Sequence, residues 1–399
     1  MGGGPDKETL VVIWANELKH LTDDIQRRFP YIDVIFHQLG KPQGGKQMGG
    51  IPYAFDAIPE ELWRKATLLV TLGSLPPKPD LVPNLKYIHL LSAGIDHFAN
   101  HPMFTDTDIP ISTSSGIHGP PITEWILLTT LALHKNYDIM YENQKQHKWE
   151  SGRIGLRQAW DWEGKTVGIM GYGSIGRQVA RVYSAMGSRI HAYTASPRST
   201  PESRHHTGYQ LPNVGDPDGT IPDAWYSGTD KPSLHTFLAS GLDMLVISVP
   251  LTSATRGLIS DAEIDVLYHD SLEKSKQATS PDSQASDDNV RLPDNEGCTL
   301  VNISRGPIVD TSALLRALHP NHTPDSGRKL FGACLDVTDP EPLPENHELW
   351  DCPKVIITPH ISALGREYVD RGFGVLIENL GRRERGEKMV NIVQRKRGY

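Results

Sequence analysis

Cysteine is almost missing from this chain: Cys298, Cys334 and Cys352 are the only three among 399 residues. An odd, unclustered set argues against a disulfide framework and a zinc site, and it points to buried thiols in a reducing compartment, with the cytoplasm as the expected location. Long apolar runs are missing too. No stretch approaches the roughly 20 residues that a membrane-spanning helix needs. The opening MGGGPDKETLVVIWAN reads as glycines, an acid and a short strand rather than a signal peptide, and Asp6 stands where myristoylation wants a hydroxyl. Positive charge is not in excess either. Forty Lys and Arg against 48 Asp and Glu leave a net charge of −8, so no broad basic field exists to attract nucleic acid or an anionic membrane. The 17 histidines show no metal-ligand spacing, and no metal is expected.

What is present is alternation. The length suits two domains of roughly 150–200 residues each. Short apolar runs at Thr9–Ala15, Ile32–Phe36, Ala66–Leu72, Lys86–Leu91 and Ile109–Thr113 read as buried strands, with an amphipathic helix over Glu17–Phe29 and a loop over Lys41–Ile51. Pro120-Pro121 can open a helix at its first turn, and the apolar run Trp125–Leu133 then reads as a buried helix bridging two domains. A second strand–helix series runs from Lys165 to about Pro359, closed by an amphipathic stretch over Arg366–Glu384. Strands alternating with helices predict α/β domains with parallel sheets covered on both faces. Two polar stretches, 205–233 and 269–297, read as surface insertions, the second as disordered.

The most specific local signal is Gly171-Tyr-Gly173-Ser174-Ile175-Gly176, placed between a strand ending at Met170 and a helix, with a further strand at Arg189–Thr194. In that context each glycine has its own role. Gly171 permits a tight turn, Gly173 the close approach of a pyrophosphate, and Gly176 helix–strand packing. The Ser174 and Ile175 amides face the phosphates from a helix N-terminus. An NAD site wants an acid at the end of the second strand. Here the sequence is His191-Ala-Tyr-Thr-Ala-Ser196-Pro-Arg198. A carboxylate would repel a 2′-phosphate, whereas Arg198 can bind one and Ser196 can add a hydrogen bond. NADPH is the expected cofactor, with NADH possible.

Three segments further on, Asn302-Ile303-Ser304-Arg305-Gly306, Asp336-Val337 with Glu341-Pro342, and Thr358-Pro359-His360, resemble the D-isomer-specific 2-hydroxy acid dehydrogenases in order and spacing. Val249-Pro250-Leu251-Thr252 with Thr255 matches the same family's pattern, as does Ser92-Ala93-Gly94-Ile95-Asp96 upstream. The resemblance implies two doubly wound domains, one flavodoxin-like and one Rossmann, with the active site in the cleft between them. Residues 1–118 plus 364–399 would bind substrate and 119–363 the dinucleotide. It also implies a homodimer acting on a small 2-oxo acid.

By the same resemblance the catalytic residues are Arg305, Glu341 and His360. Pro250, Thr255, Ile303 and Ser304 would join the glycine loop in holding the cofactor, and Asp336 would contact its nicotinamide end. Gly73 and Gly94, with Arg305 and His360, would meet the substrate. The residue types suit the chemistry. A histidine titrates near working pH and can deliver a proton to a carbonyl oxygen. A glutamate beside it stabilises the charged ring, and the planar fork of Arg305 can hold a carboxylate and polarise the carbonyl. The chain departs from the family at Ser304 and Pro307, at Thr338-Asp339-Pro340 where an aromatic often follows, and at Gly73-Ser74, which lacks a nearby basic residue. Two rivals stand beside the reductase: a nucleotide-sensing binding protein like the related C-terminal-binding corepressors, and a formate or phosphite dehydrogenase. The glutamate at 341 disfavours the formate branch, where a glutamine pairs with the histidine.

Overall fold

The structure, a computed structural model, describes residues 6–40, 47–48, 51–52, 58–150, 159–278, 297–318 and 328–395. The chain divides into two compact units. The first comprises residues 1–117, 208–211 and 364–399, the second 118–207 and 212–363.

In the first unit, β1 (Glu8–Trp14), β2 (Ile32–Gln38), β5 (Leu68–Thr71), β6 (Tyr87–Leu90) and β7 (Ile111–Thr113) form a sheet of order β2-β1-β5-β6-β7, parallel at every pairing. That is the flavodoxin-like order. Leu10 and Val12 pack to one face and Val11 and Ile13 to the other, so the strand reads as a continuous apolar run because both faces are covered. The helix Tyr368–Glu384 packs onto the first of these faces through Phe373, Leu376 and Leu380. The short strands β3 (Gln47–Met48) and β4 (Ile51–Pro52) pair as a small antiparallel ladder within the stretch expected as a loop; residues 41–46 and 49–50 lie outside the described residues.

The second unit carries a seven-stranded parallel sheet. Its strands are β8 (Thr166–Met170), β9 (Arg189–Thr194), β10 (Ala224–Ser227), β11 (Met244–Ile247), β12 (Thr299–Asn302), β13 (Gly332–Leu335) and β14 (Val355–Ile357). The order β10-β9-β8-β11-β12-β13-β14 is the dinucleotide-binding arrangement with one strand added, and it reverses direction between β8 and β11. Ligands of such sheets sit outside the carboxyl ends of the strands at that reversal, which places attention on the residues just after Met170, Asn302, Leu335 and Ile357.

Three expectations change. The apolar run Trp125–Leu133 belongs to a longer helix, Gly119–His134, that lies wholly in the second unit and packs beside the helix Ser174–Ala185. The stretch 205–233 is built into the fold rather than laid over it. It supplies edge strand β10, its Asp216 is 3% exposed, and residues 208–211 count with the first unit. Of 269–297, the first part continues the helix Asp261–Ala278, and residues 279–296 lie outside the described residues. No described helix is long and apolar enough to cross a membrane, and no cluster of three potential metal ligands occurs among the described residues.

Candidate active site

The glycine loop leaves β8 and enters the helix Ser174–Ala185. Its three glycines differ in their surroundings as their roles require. Gly171 has φ +102°, and a Cβ there would stand 2.5 Å from the Ser248 carbonyl oxygen. A Cβ on Gly176 would meet the Gly171 carbonyl oxygen at 2.4 Å. A Cβ on Gly173 would meet no protein atom within 4 Å. The one glycine with open space is therefore the one expected to face a pyrophosphate, and the loop fits a dinucleotide.

Beside it lies a buried cluster that the sequence reading missed. Arg177, 2% exposed, donates to the carbonyls of Asp216 and Arg204 and lies 5.0 Å from the Tyr172 ring centre. The Tyr172 hydroxyl donates to Asp216 at 2.8 Å; burial, then that carboxylate, push its ionisation far above the usual phenol range. Asp216 also accepts from the amides of Thr220 and Ile221. This cluster fixes the loop beyond β9. There Arg198 donates to the Ser203 carbonyl, and Arg204 donates to the Arg198 carbonyl at 3.0 Å while its guanidinium faces Trp225 at 5.5 Å. Two guanidinium groups thus stand near the end of β9, with Ser196 exposed between that strand and Arg198. Arg204 carried no motif and could not be singled out from sequence.

Pro250 and Thr255 bond each other: the Thr255 hydroxyl donates to the Pro250 carbonyl at 2.7 Å and accepts from the Thr252 amide at 2.8 Å. The Ser304 hydroxyl donates to the Val249 carbonyl, and Ile303 is 7% exposed. These four therefore shape the wall after β11 and β12 through bonds to the protein itself.

The turn bearing Arg305 is held from below by Asn302, the last residue of β12 and 1% exposed. Its side-chain oxygen accepts from the Ser304 amide at 3.1 Å, and its nitrogen donates to the Arg305 carbonyl at 2.9 Å. Gly306 follows under the backbone of Thr338, so close that no side chain fits. The backbone of Thr338 and Asp339, in the segment Thr338–Pro340 where the chain departs from the family pattern, thus roofs the arginine turn.

Glu341 and His360 are brought together. His360 Nδ1 lies 2.8 Å from Glu341 Oε1, an exposed-to-half-buried pair with side-chain accessibilities of 29% and 39%. An ionised carboxylate only accepts, so Nδ1 carries the hydrogen and Nε2 is the nitrogen left for proton exchange with a ligand. His360 has φ +56°, the left-handed region that few side chains adopt. Asp336, expected to contact the cofactor, is 2% exposed and spends its carboxylate on the turn that carries His360. Gly73 and Gly94 lie in the first unit, after β5 and β6 respectively, where the Ser92 hydroxyl donates to the Gly94 carbonyl at 2.9 Å.

The family model described as "D-isomer specific 2-hydroxyacid dehydrogenase, NAD binding domain" matches residues 127–215 and 294–362. Among curated proteins, the chain is 28% identical over 328 residues to glyoxylate/hydroxypyruvate reductase A of Salmonella paratyphi B, covering 79% of this chain and 82% of that protein. Among solved structures, an NADPH-dependent glyoxylate/hydroxypyruvate reductase from Sinorhizobium meliloti, in complex with NADP and sulfate, is 22% identical with a TM-score of 0.66, over 98% of this chain and all of the other. A D-isomer specific 2-hydroxyacid dehydrogenase from Xanthobacter autotrophicus Py2, in complex with NADPH and MES, is also 22% identical, with a TM-score of 0.65 over the same shares.

Proposed function

We propose that this chain, which matches the NAD-binding domain of the D-isomer-specific 2-hydroxyacid dehydrogenases over residues 127–215 and 294–362, is an oxidoreductase of that family that reduces a small 2-oxo acid to the D-2-hydroxy acid with NADPH. The observation that carries this reading is the His360–Glu341 pair, held at 2.8 Å beyond the carboxyl ends of β13 and β14, in the same parallel sheet whose strand β8 opens the glycine loop.

The nicotinamide, when bound, supplies a hydride for C2 of the oxo acid. The residues of this chain supply the rest. Arg305 holds the substrate carboxylate in its planar fork and draws charge toward the carbonyl oxygen. As the carbonyl electron pair moves onto oxygen, His360 Nε2 delivers the proton that completes the hydroxyl. Glu341 orients the ring through Nδ1 and balances its charge while it is protonated. In the oxidative direction the same nitrogen takes the proton back.

NADPH is favoured over NADH by what stands at the end of β9. No carboxylate occurs from His191 to Arg198, and Arg198 and Arg204 are both anchored there. A 2′-phosphate would meet guanidinium groups in place of a repelling acid. The names of the Salmonella and Sinorhizobium relatives make glyoxylate and hydroxypyruvate the first substrates to try.

The test mixes protein, NADPH and a panel of glyoxylate, hydroxypyruvate, branched and aromatic 2-oxo acids, and follows loss of NADPH absorbance. Turnover that His360→Ala abolishes supports the reading. Nucleotide binding without turnover on any acid would overturn it in favour of a corepressor-like binding protein.

The homodimer belongs to the same proposal. The helix Tyr137–Lys145 buries none of its residues, and Leu128, Tyr137, Met140 and Trp149 are more than half exposed. These apolar side chains on and around one helix make a patch that a second copy of the chain would cover. Light scattering at micromolar protein should return twice the 44.2 kDa chain mass; a monomer would refute it.

A further inference from the structure

The turn from Thr358 to Ser362 holds the residue on which the proposed chemistry depends, and it is not a self-supporting turn. His360 sits in the left-handed region at φ +56° with a full imidazole on its Cβ. Such a residue persists only where its surroundings over-determine it. The surroundings here converge on one buried side chain. The Asp336 carboxylate accepts from Thr358 Oγ1 at 2.6 Å and the Ile361 amide at 2.9 Å on one oxygen, and from the Ser362 amide at 3.0 Å and the Ser362 hydroxyl on the other. The Asp336 carbonyl accepts from the His360 amide at 2.8 Å. Donors on both sides of His360 therefore end on the same residue.

Asp336 is fixed in turn. It follows the last residue of β13, its amide donates to the Asn302 carbonyl at 3.1 Å, and it is 2% exposed. Its two oxygens offer about four acceptor directions, and four donors use them. A carboxylate so engaged has its acceptor capacity filled by the turn that carries His360. We propose that Asp336 is the positioning residue of the proton donor, clamping the Thr358–Ser362 turn so that the His360 ring reaches Glu341 and presents Nε2. This rests on the reading of His360 as the acid.

The clamp has a chemical requirement that distinguishes aspartate from its amide. In Asp336→Asn one oxygen becomes an NH2, which cannot accept. Either the Ile361 amide or the Ser362 amide then faces a donor, and the turn must move. A displacement of about 1 Å at a reacting group lowers turnover by about a hundredfold. Thr358→Val removes one donor without charge change and tests the same clamp where Asp336→Asn fails to fold.

The experiment measures kcat, KM for the 2-oxo acid, Kd for NADPH by fluorescence titration, and the 15N spectrum of the His360 imidazole. The expected result for Asp336→Asn is a kcat fall of about a hundredfold, unchanged NADPH Kd and a shifted His360 resonance, with Thr358→Val showing the same pattern more weakly. Loss of NADPH affinity with kcat retained would overturn the assignment and make Asp336 a cofactor contact. Unchanged kcat with an unmoved His360 resonance would overturn it as well. If the unsubstituted protein turned over no oxo acid, the reductase reading would fail by itself, and the 15N shift would still decide whether Asp336 positions the ring.

Discussion

Replacing Gly306 by alanine is the most direct perturbation of the Arg305 turn. A Cβ at that position would stand 1.9 Å from the Thr338 carbonyl oxygen, 2.1 Å from its carbon and 2.7 Å from the Asp339 nitrogen. All three are backbone atoms, so no side chain can swing aside. Real Cβ contacts essentially never fall under 3.0 Å, so the turn and its roof must separate by at least 3.0 − 1.9 = 1.1 Å. Arg305 precedes the substituted residue directly and Glu341 follows Thr338 by three, so the separation displaces two of the three proposed catalytic groups relative to each other. A misplacement of about 1 Å can cost about a hundredfold in rate, equivalent to about 2.7 kcal/mol of transition-state stabilisation. The assay is kcat/KM for the best 2-oxo acid under NADPH saturation, with circular dichroism and Tm recorded on the same samples. Gly365→Ala, whose Cβ meets nothing nearer than a Glu367 carboxylate oxygen at 3.4 Å, is the control and should behave as the unsubstituted protein. Retention of kcat/KM within about twofold in a folded Gly306→Ala protein would refute the reasoning.

The two later glycines of the nucleotide loop should separate binding from folding. Gly173→Ala, with no protein atom within 4 Å, leaves Tm unchanged and raises the Kd for NADPH, whereas Gly176→Ala, with backbone at 2.4 Å, lowers Tm; equal effects on Tm would contradict this division. Arg198→Ala should lower kcat/KM with NADPH about tenfold, or about 1.4 kcal/mol, and leave NADH turnover nearly unchanged; equal losses with both nucleotides would refute a 2′-phosphate contact. Stability should fall on mild acidification. Burial holds His89 down at about 4 and His134 at about 3, against 6.5 when exposed. Both therefore bind protons more readily unfolded, so their contribution is complete above pH 6.5 and is lost as pH falls toward 4. At pH 5 each costs about 2 kcal/mol. Urea unfolding at pH 7.5 and pH 5 measures this, and equal stabilities would contradict it.

Much of the molecule was legible from residue order because its signals are local. Strand β9 was read at Arg189–Thr194 and is found there, since an apolar run between polar breaks satisfies both faces of a covered parallel sheet. The helix after the glycine loop starts at Ser174, inside the glycine motif itself, because its first turn is set by the loop backbone rather than by hydrophobic spacing. The stretch 205–233 was misread for a different reason. Its glycines, prolines and acids have the composition of a surface loop, yet Asp216 is buried by bonds to Tyr172, Thr220 and Ile221, and Tyr172 is distant in sequence. Composition reports what a segment can bury by itself, not what a partner makes worth burying.

The sequence alone determined the alternating α/β class, the nucleotide loop with its three unequal glycines and the missing acid after β9, and its resemblance to a known family singled out Arg305, Glu341 and His360 as the proposed catalytic residues. These depend on residue type and short spacing, which the chain carries without folding. Only the tertiary structure decided what holds those groups in place. Asn302 under Arg305, the Thr338 backbone over Gly306, and Asp336 beneath His360 act through hydrogen bonds and contacts whose partners lie on neighbouring strand ends. An aspartate after a strand reads the same whether its carboxylate faces a ligand or a turn 22 to 26 residues later. The direction of the side chain follows from the pairing of β13 with β14, which brings the donors to it.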